Sequence, residues 1–178
     1  MNKVEAHTWY EVVGSKDNIL QGDFIEDCPV IIPPSVLHDE IEACVRNYNT
    51  VIMSQSCDLV QGKIDLVLMC PIWSLNELGE IQPYYKNRKG REALRRGHIP
   101  GYHLLNKCEI DDFETDFLVV DFRSVYSVSF NFVIDFVKKR ERRLRLLSPH
   151  REHLSQAFAR FFMRVGLPVD IPPFQESI

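Results

Sequence analysis

The sequence has no uninterrupted apolar stretch approaching the ~18 residues of a membrane span, which excludes a transmembrane helix. Its opening residues, MNKVEAHTWYEVV, lack the apolar run of a secretory signal, so the expected location is cytoplasmic. No C-x-x-C pair occurs, and the five cysteines, Cys28, Cys44, Cys57, Cys70 and Cys108, are an odd number. A disulfide framework favours an even set in a short secreted chain, so free and mostly buried thiols are expected. Phosphate-loop, dinucleotide-fold, nucleophile-elbow and HExxH patterns are all missing, and with them any motif that names a reaction. Internal repeats and low-complexity tracts are absent too. Disorder is excluded by composition: 45% of the 178 residues are hydrophobic against a net charge of −4, enough apolar surface to offset ordering entropy. The length fits a single domain over residues 1–178.

Positive charge is scarce in the first half. Residues 1–85 carry 4 Lys+Arg against 13 Asp+Glu, whereas residues 86–178 carry 17 against 12. Such polarisation favours an anionic partner for the second half, or association through opposite faces.

Strands are expected at 8–13, 21–25, 50–54, 64–70, 117–122 and 124–128, where β-branched and aromatic residues run between turn residues. Thr50–Ser54 and Ile64–Cys70 have the continuous apolar character of strands buried on both faces. Three prolines exclude a helix over 28–34, and 35–47 reads as a helix or a long loop. Short helices are expected near 73–80, 86–96 (closed by Gly97) and 134–139, with an edge strand at 142–147. A last helix over 148–166 starts on Ser148 as N-cap with Pro149 at the first position. Its apolar stripe is Leu154, Ala157, Phe158, Phe161, Phe162 and Val165; Gly166 and Pro168 end it, and 167–178 is an extended proline-rich tail. The pattern predicts an α+β fold, a small bent antiparallel sheet or SH3-like barrel with the C-terminal amphipathic helix packed on it.

Three groups of residues have chemical potential. Lys86, Arg88, Lys89, Arg91, Arg95 and Arg96 put six positive charges in eleven residues, flanked by Tyr84, Tyr85, His98 and Tyr102. Clustered cations suit phosphates and aromatic rings suit unpaired bases, although a solvated helix face has the same composition. A second basic run, Lys138–Arg145, with Arg151, Arg160 and Arg164 on the last helix, would enlarge the patch if the two converged. In Met53-Ser54-Gln55-Ser56-Cys57-Asp58-Leu59 a buried strand ends in polar side chains. Cys57 could be a nucleophile beside Asp58, with His103 or His98 as base; the plainer alternative is a turn in which Ser54, Ser56 and Asp58 satisfy backbone N–H groups while Cys57 points inward. No cofactor is called for, but zinc is a third alternative, on Cys57, Cys70, His103 and Cys108. Asp65, Asp121 and Glu152 have no spacing that marks a nuclease cluster, and Asp121 is expected to pair with Arg123.

Gln21-Gly22-Asp23-Phe24, followed by Val51-Ile52-Met53-Ser54-Gln55-Ser56-Cys57-Asp58-Leu59, resembles a pattern in uncharacterised bacterial proteins. The Gly-Asp opening is also similar to that of SH3-like barrels of the toxin endoribonuclease class. The resemblance implies a bacterial protein with a barrel-like sheet, in a phage-defence or toxin-related setting. Together with the charge distribution it leads to an expected binding module within a larger assembly, contacting nucleic acid or a protein partner. A hydrolase built on Cys57 and a zinc-stabilised structural protein are the alternatives.

Overall fold

The computed structural model describes residues 8–36 and 43–163. In chain order its elements begin with β1 (Tyr10–Gly14), β2 (Phe24–Ile32), β3 (Cys44–Ile52), α1 (Ser56–Val60), β4 (Leu66–Ser74) and α2 (Leu75–Ile81). A 3-10 turn (Pro83–Lys86) and α3 (Arg88–Arg95) follow, then β5 (Tyr102–Leu105), β6 (Leu118–Asp121) and β7 (Tyr126–Ser129). The remaining elements are α4 (Phe130–Lys138), β8 (Arg142–Leu146) and α5 (His150–Phe162).

The architecture is α+β. Six strands form a bent antiparallel sheet in the order β2-β3-β4-β6-β5, with β7 also on β4, and the sheet stays open rather than closing into a barrel. Strand β4 is its axis: β3 pairs with residues 69–71, β7 with 66–69 and β6 with 72–74. Strands β1 and β8 form a separate ribbon, tied to the start of β2 by an Asp23–Arg145 bridge. Pro29 sits within β2, an outer strand that among the described residues pairs laterally only with β3, where a missing N–H costs no second ladder.

Alternation along the central strands sends side chains into different cores. Val51 and Cys70 join Tyr10, Phe122, Leu146 and Leu154 beneath the ribbon and α5, while Ile52, Val67 and Met69 join Leu59, Val133 and Val137 beneath α1 and α4. The expectation of strands buried on both faces therefore holds for 51–53 and for Val67, Met69 and Cys70, but Leu66 and Leu68 are exposed. A third core, Leu75, Leu78, Tyr85, Leu94, Tyr102 and Val119, seats α2 and α3 against β5 and β6. Helix α2 starts with a capping box, in which Ser74 and Glu77 satisfy each other's backbone N–H groups.

Several local expectations are corrected. Cys44–Asn47 is strand, not helix, because it pairs in register with Pro29–Ile32; residues 37–42 of the same segment lie outside the described residues. The last helix starts at His150 with Pro149 in the N-cap position, and the Ser148 hydroxyl does not cap it. Leu154, Ala157, Phe158 and Phe161 pack on the core as the stripe requires, but Phe162 is 60% exposed. Arg164, Val165, Gly166, Pro168 and the tail 167–178 lie outside the described residues. No helix among the described residues is long and apolar enough to cross a membrane.

Candidate nucleic-acid interface

Helix α3 carries the first basic cluster, and its seat is set by a few specific contacts. Asn87 caps it, the side-chain oxygen accepting the Gly90 N–H at 2.9 Å. Leu94 is buried in the third core, leaving the arginines outward. Arg91 donates from Nε to the Tyr85 carbonyl at 3.1 Å, which holds its stem along the 3-10 turn. Glu92 accepts from both Arg95 (2.7 Å) and Arg96 (2.6 Å), and these hydrogen bonds hold its carboxyl at about 2, well below the usual carboxylate range. Lys86 pairs with Glu80 at 2.7 Å, while Arg88 and Lys89 make no ion pair among the described residues. These pairs are solvent-exposed and add little stability, so the cluster is not there to hold the fold together.

Two clefts flank the helix. One, of about 500 Å³, has a floor of Leu75, Leu104 and Phe117 beneath Lys86, Arg88, Arg91 and Arg95. The other, of about 580 Å³, lies between α3 and α5: Arg95, Arg96 and Arg160 line it with His103 and His153, over Leu94, Tyr102, Leu104 and Ala157. Arg95 and Leu104 belong to both. The sequence offers Arg160 only on the condition that the basic groups converge, and it does not mark His153 or Phe117, because α5 and the residue before β6 join α3 only through the fold.

The flanking aromatics behave differently from expectation. Tyr84 is exposed, but Tyr85 and Tyr102 are only 5% and 4% exposed and pack edge to face at 5.6 Å in the third core. They are structural, apart from the edge of Tyr102 in the cleft. The Tyr102 hydroxyl accepts from Gln82 at 2.8 Å and from Arg123, whose guanidinium lies 4.3 Å over the same ring. Arg123 also pairs with Asp121 at 2.8 Å, the ion pair that their spacing predicts.

The second basic run does not converge on the first. Arg143 and Arg145 turn inward onto buried Asp23, and Arg142 pairs with Asp112 at 3.0 Å. Arg140 lies over Phe136, Lys138 is 3.8 Å from Asp135, and Arg151 pairs with Glu152. Of the arginines on α5 within the described residues, Arg160 alone lines a cleft with α3.

Cys57 stands elsewhere. It is exposed in the first turn of α1, its Sγ 3.7 Å from an Asp58 oxygen, not turned inward. Around it the turn reading holds in part: Ser54 Oγ accepts the Leu68 N–H at 2.8 Å, and Ser56 Oγ accepts the Gln21 N–H at 3.2 Å. Gln21 Nε2 also donates to the Met53 carbonyl at 2.7 Å, so the two segments of the resemblance noted in the sequence meet in space. Cys57 borders an open cleft with Gln21, Gln55, Arg151, Glu152, Ser155 and Gln156. His103 borders the cleft on the opposite face of α5, with His153, Ala157 and Arg160, so the fold does not bring the two together. His98 is exposed just past α3.

No family model, curated protein or solved structure matches the chain.

The case for function therefore rests on geometry. Among the described residues no three His, Cys, Asp or Glu side chains gather where a metal ion could sit, Cys57, Cys70, His103 and Cys108 included. Cys70 and Cys108 are core residues, and burial followed by the charge of Asp121 pushes the Cys70 thiol up to about 12. Asp65, Asp121 and Glu152 do not form a cluster either: Asp121 and Glu152 are each engaged by an arginine.

His103 makes a prediction. Burial, then the nearby His153 and Arg160 charges, lower its pKa from 6.5 to about 4. Arg95 and Arg96 line the same cleft from α3. The folded protein then binds fewer protons than the unfolded chain between those values, so this contribution is present at neutral pH and is lost as pH falls from about 6.5 toward 4. Thermal melts at pH 7 and pH 4.5 should show wild type losing about 2 kcal/mol more than His103→Gln; equal losses would remove His103 from the account.

Proposed function

We propose that the protein is a cytoplasmic bacterial binding module that contacts nucleic acid through α3, within a larger assembly. The supporting observation is the pair of clefts beside this helix, which combine arginine rims with apolar floors. A solvated helix face needs no cavities, whereas a polyanion with flat apolar groups can use rims and floors together. The hydrolase alternative has no comparable support, since the described residues lining the Cys57 cleft include no imidazole to act as base.

The test is a salt-dependent titration against short RNA, single-stranded DNA and duplex DNA. Replacing Arg91, Arg95 and Arg96 together by Glu should weaken binding about 100-fold and flatten the slope of log K against log salt by about 2. Affinity that is unchanged by the triple replacement across the salt series would dispose of the reading.

A further inference from the structure

We propose that the two clefts beside α3 form one continuous track for single-stranded nucleic acid, with Arg160 and His153 of α5 at one end and Phe117 at the other. The inference rests on the nucleic-acid reading and adds the strand state of the ligand and two residue sets outside the basic cluster.

Continuity comes from shared walls. Arg95 stands between the clefts, and the Leu104 side chain contributes to the floor of both. Volumes of about 500 and 580 Å³ leave room for a nucleobase with its sugar in each. Among the described residues the only acid lining either cleft is Glu92, and Arg95 and Arg96 already engage it. Cations are supplied from two directions: Lys86, Arg88, Arg91, Arg95 and Arg96 from α3 and the turn before it, and Arg160 from α5. The Arg160 side chain is exposed and has no carboxylate partner among the described residues; its one hydrogen bond is to the Gln156 carbonyl.

The floors decide the strand state. In a duplex the base faces are stacked inside and only the phosphate ridges reach a concave, cation-rimmed cleft, so apolar floors would be left uncovered. A single strand can turn its bases inward and leave its phosphates at the rim, the arrangement that stacking platforms in basic grooves exploit. Phe117 is half-buried with Lys107 5.2 Å over its ring, and it forms part of the floor of the first cleft. The second cleft offers Leu94, Ala157 and the edge of Tyr102. Two adjacent floors divided by one arginine suit consecutive nucleotides better than a lone mononucleotide, which would occupy one of them.

The experiment is fluorescence anisotropy on the full chain with a labelled thymidine dodecamer, a uridine dodecamer, a duplex of the same length, and thymidine monophosphate as competitor. The variants are Arg160→Glu, on an exposed helix face, and Phe117→Leu, which keeps an apolar side chain but removes the ring. Single strands are expected to bind at least about 10-fold tighter than duplex, each variant should weaken single-strand binding about 5- to 10-fold, and Phe117→Leu, which removes a stacking surface and no charge, should leave duplex binding within about 2-fold. Circular dichroism of both variants should match wild type. Duplex binding equal to or tighter than single-strand binding, with the α3 arginines still required, overturns the track but leaves the nucleic-acid reading standing. So does an Arg160→Glu variant with unchanged affinity, or a monophosphate that competes as well as an unlabelled dodecamer. Absence of binding to every nucleic acid overturns both.

Discussion

Asp23→Asn is expected to lower the unfolding free energy by about 3–5 kcal/mol. The Asp23 carboxylate is 0% exposed, and the two guanidiniums on it, Arg143 and Arg145, are 5% and 8% exposed. Arg143 donates from Nε to one carboxylate oxygen at 2.6 Å, and Arg145 donates from Nε to the other. Leu20 N–H adds a bond at 3.2 Å. The same guanidiniums reach the Gly14, Asp17 and Asn18 carbonyls at 2.6–3.0 Å, so the cluster fastens the loop after β1 to β8. Removing the Asp23 charge leaves buried Arg143 with no carboxylate partner among the described residues and Arg145 with only a longer contact to half-exposed Glu11 at 3.9 Å, which is the costly way to break a buried pair. The loss is a large fraction of the 5–15 kcal/mol typical of a domain (about 10 at the middle). Urea titration measures it directly. A shift under about 1 kcal/mol would mean that water or loop movement relieves the cations. Combining Asp23→Asn with Arg145→Met should recover part of the loss, because one of the two buried cations that Asp23 held apart is gone; a double variant no more stable than Asp23→Asn would count against the charge argument.

That cluster also marks the limit of what the sequence makes legible. Arg142-Arg143-Leu144-Arg145-Leu146 reads as part of an edge strand and of a basic run, and charged residues on a short strand are usually solvated. The alternation is real, but Arg143 and Arg145 face Asp23, some 120 residues earlier, and no local pattern reports so distant a partner. The same reasoning applies to the aromatics near α3. Tyr84 and Tyr85 are neighbours with the same chemistry, yet one is exposed and the other supports Leu94 and Tyr102, a difference set by the 3-10 turn. Where a segment's own period decides the outcome, the sequence succeeds: the short helix near 73–80, α3 closed by Gly97 at φ 67°, and the Leu154–Phe161 stripe are all present. The α+β class follows from such segments. The open edge of the sheet does not, because closure depends on how far β5 stands from β2, and pairing of distant strands has no local signature. The candidate interface divides the same way. Its α3 half is contiguous and visible as a charge run, and the Arg160, His153 and Phe117 half is assembled by packing.

Gly90→Ala is expected to cost about 3 kcal/mol, the upper end of what overpacking costs, and to lower nucleic-acid affinity with it. A Cβ on Gly90 would stand 2.0 Å from the Tyr84 carbonyl oxygen and 2.8 Å from its carbon, both backbone atoms that no rotamer change can move. Relief requires α3 to lift from the 3-10 turn, or the turn to open. Either motion strains the Asn87 cap, since Gly90 N–H is the group it satisfies, and the Arg91 Nε bond to the Tyr85 carbonyl. Leu94 and Tyr85 would then part within the third core. The first and second cores lie under other elements, so a two-stage or broadened unfolding transition is expected, with the α3 region loosening first. Hydrogen exchange at amides 85–95 should rise before that of β3 and β4. Binding to the thymidine dodecamer should fall even at temperatures where circular dichroism reports the sheet intact, because both clefts take a wall from this helix. If Gly90→Ala instead melts like wild type and binds normally, the close approach of α3 to the Tyr84 carbonyl is not what positions Arg91, Arg95 and Arg96.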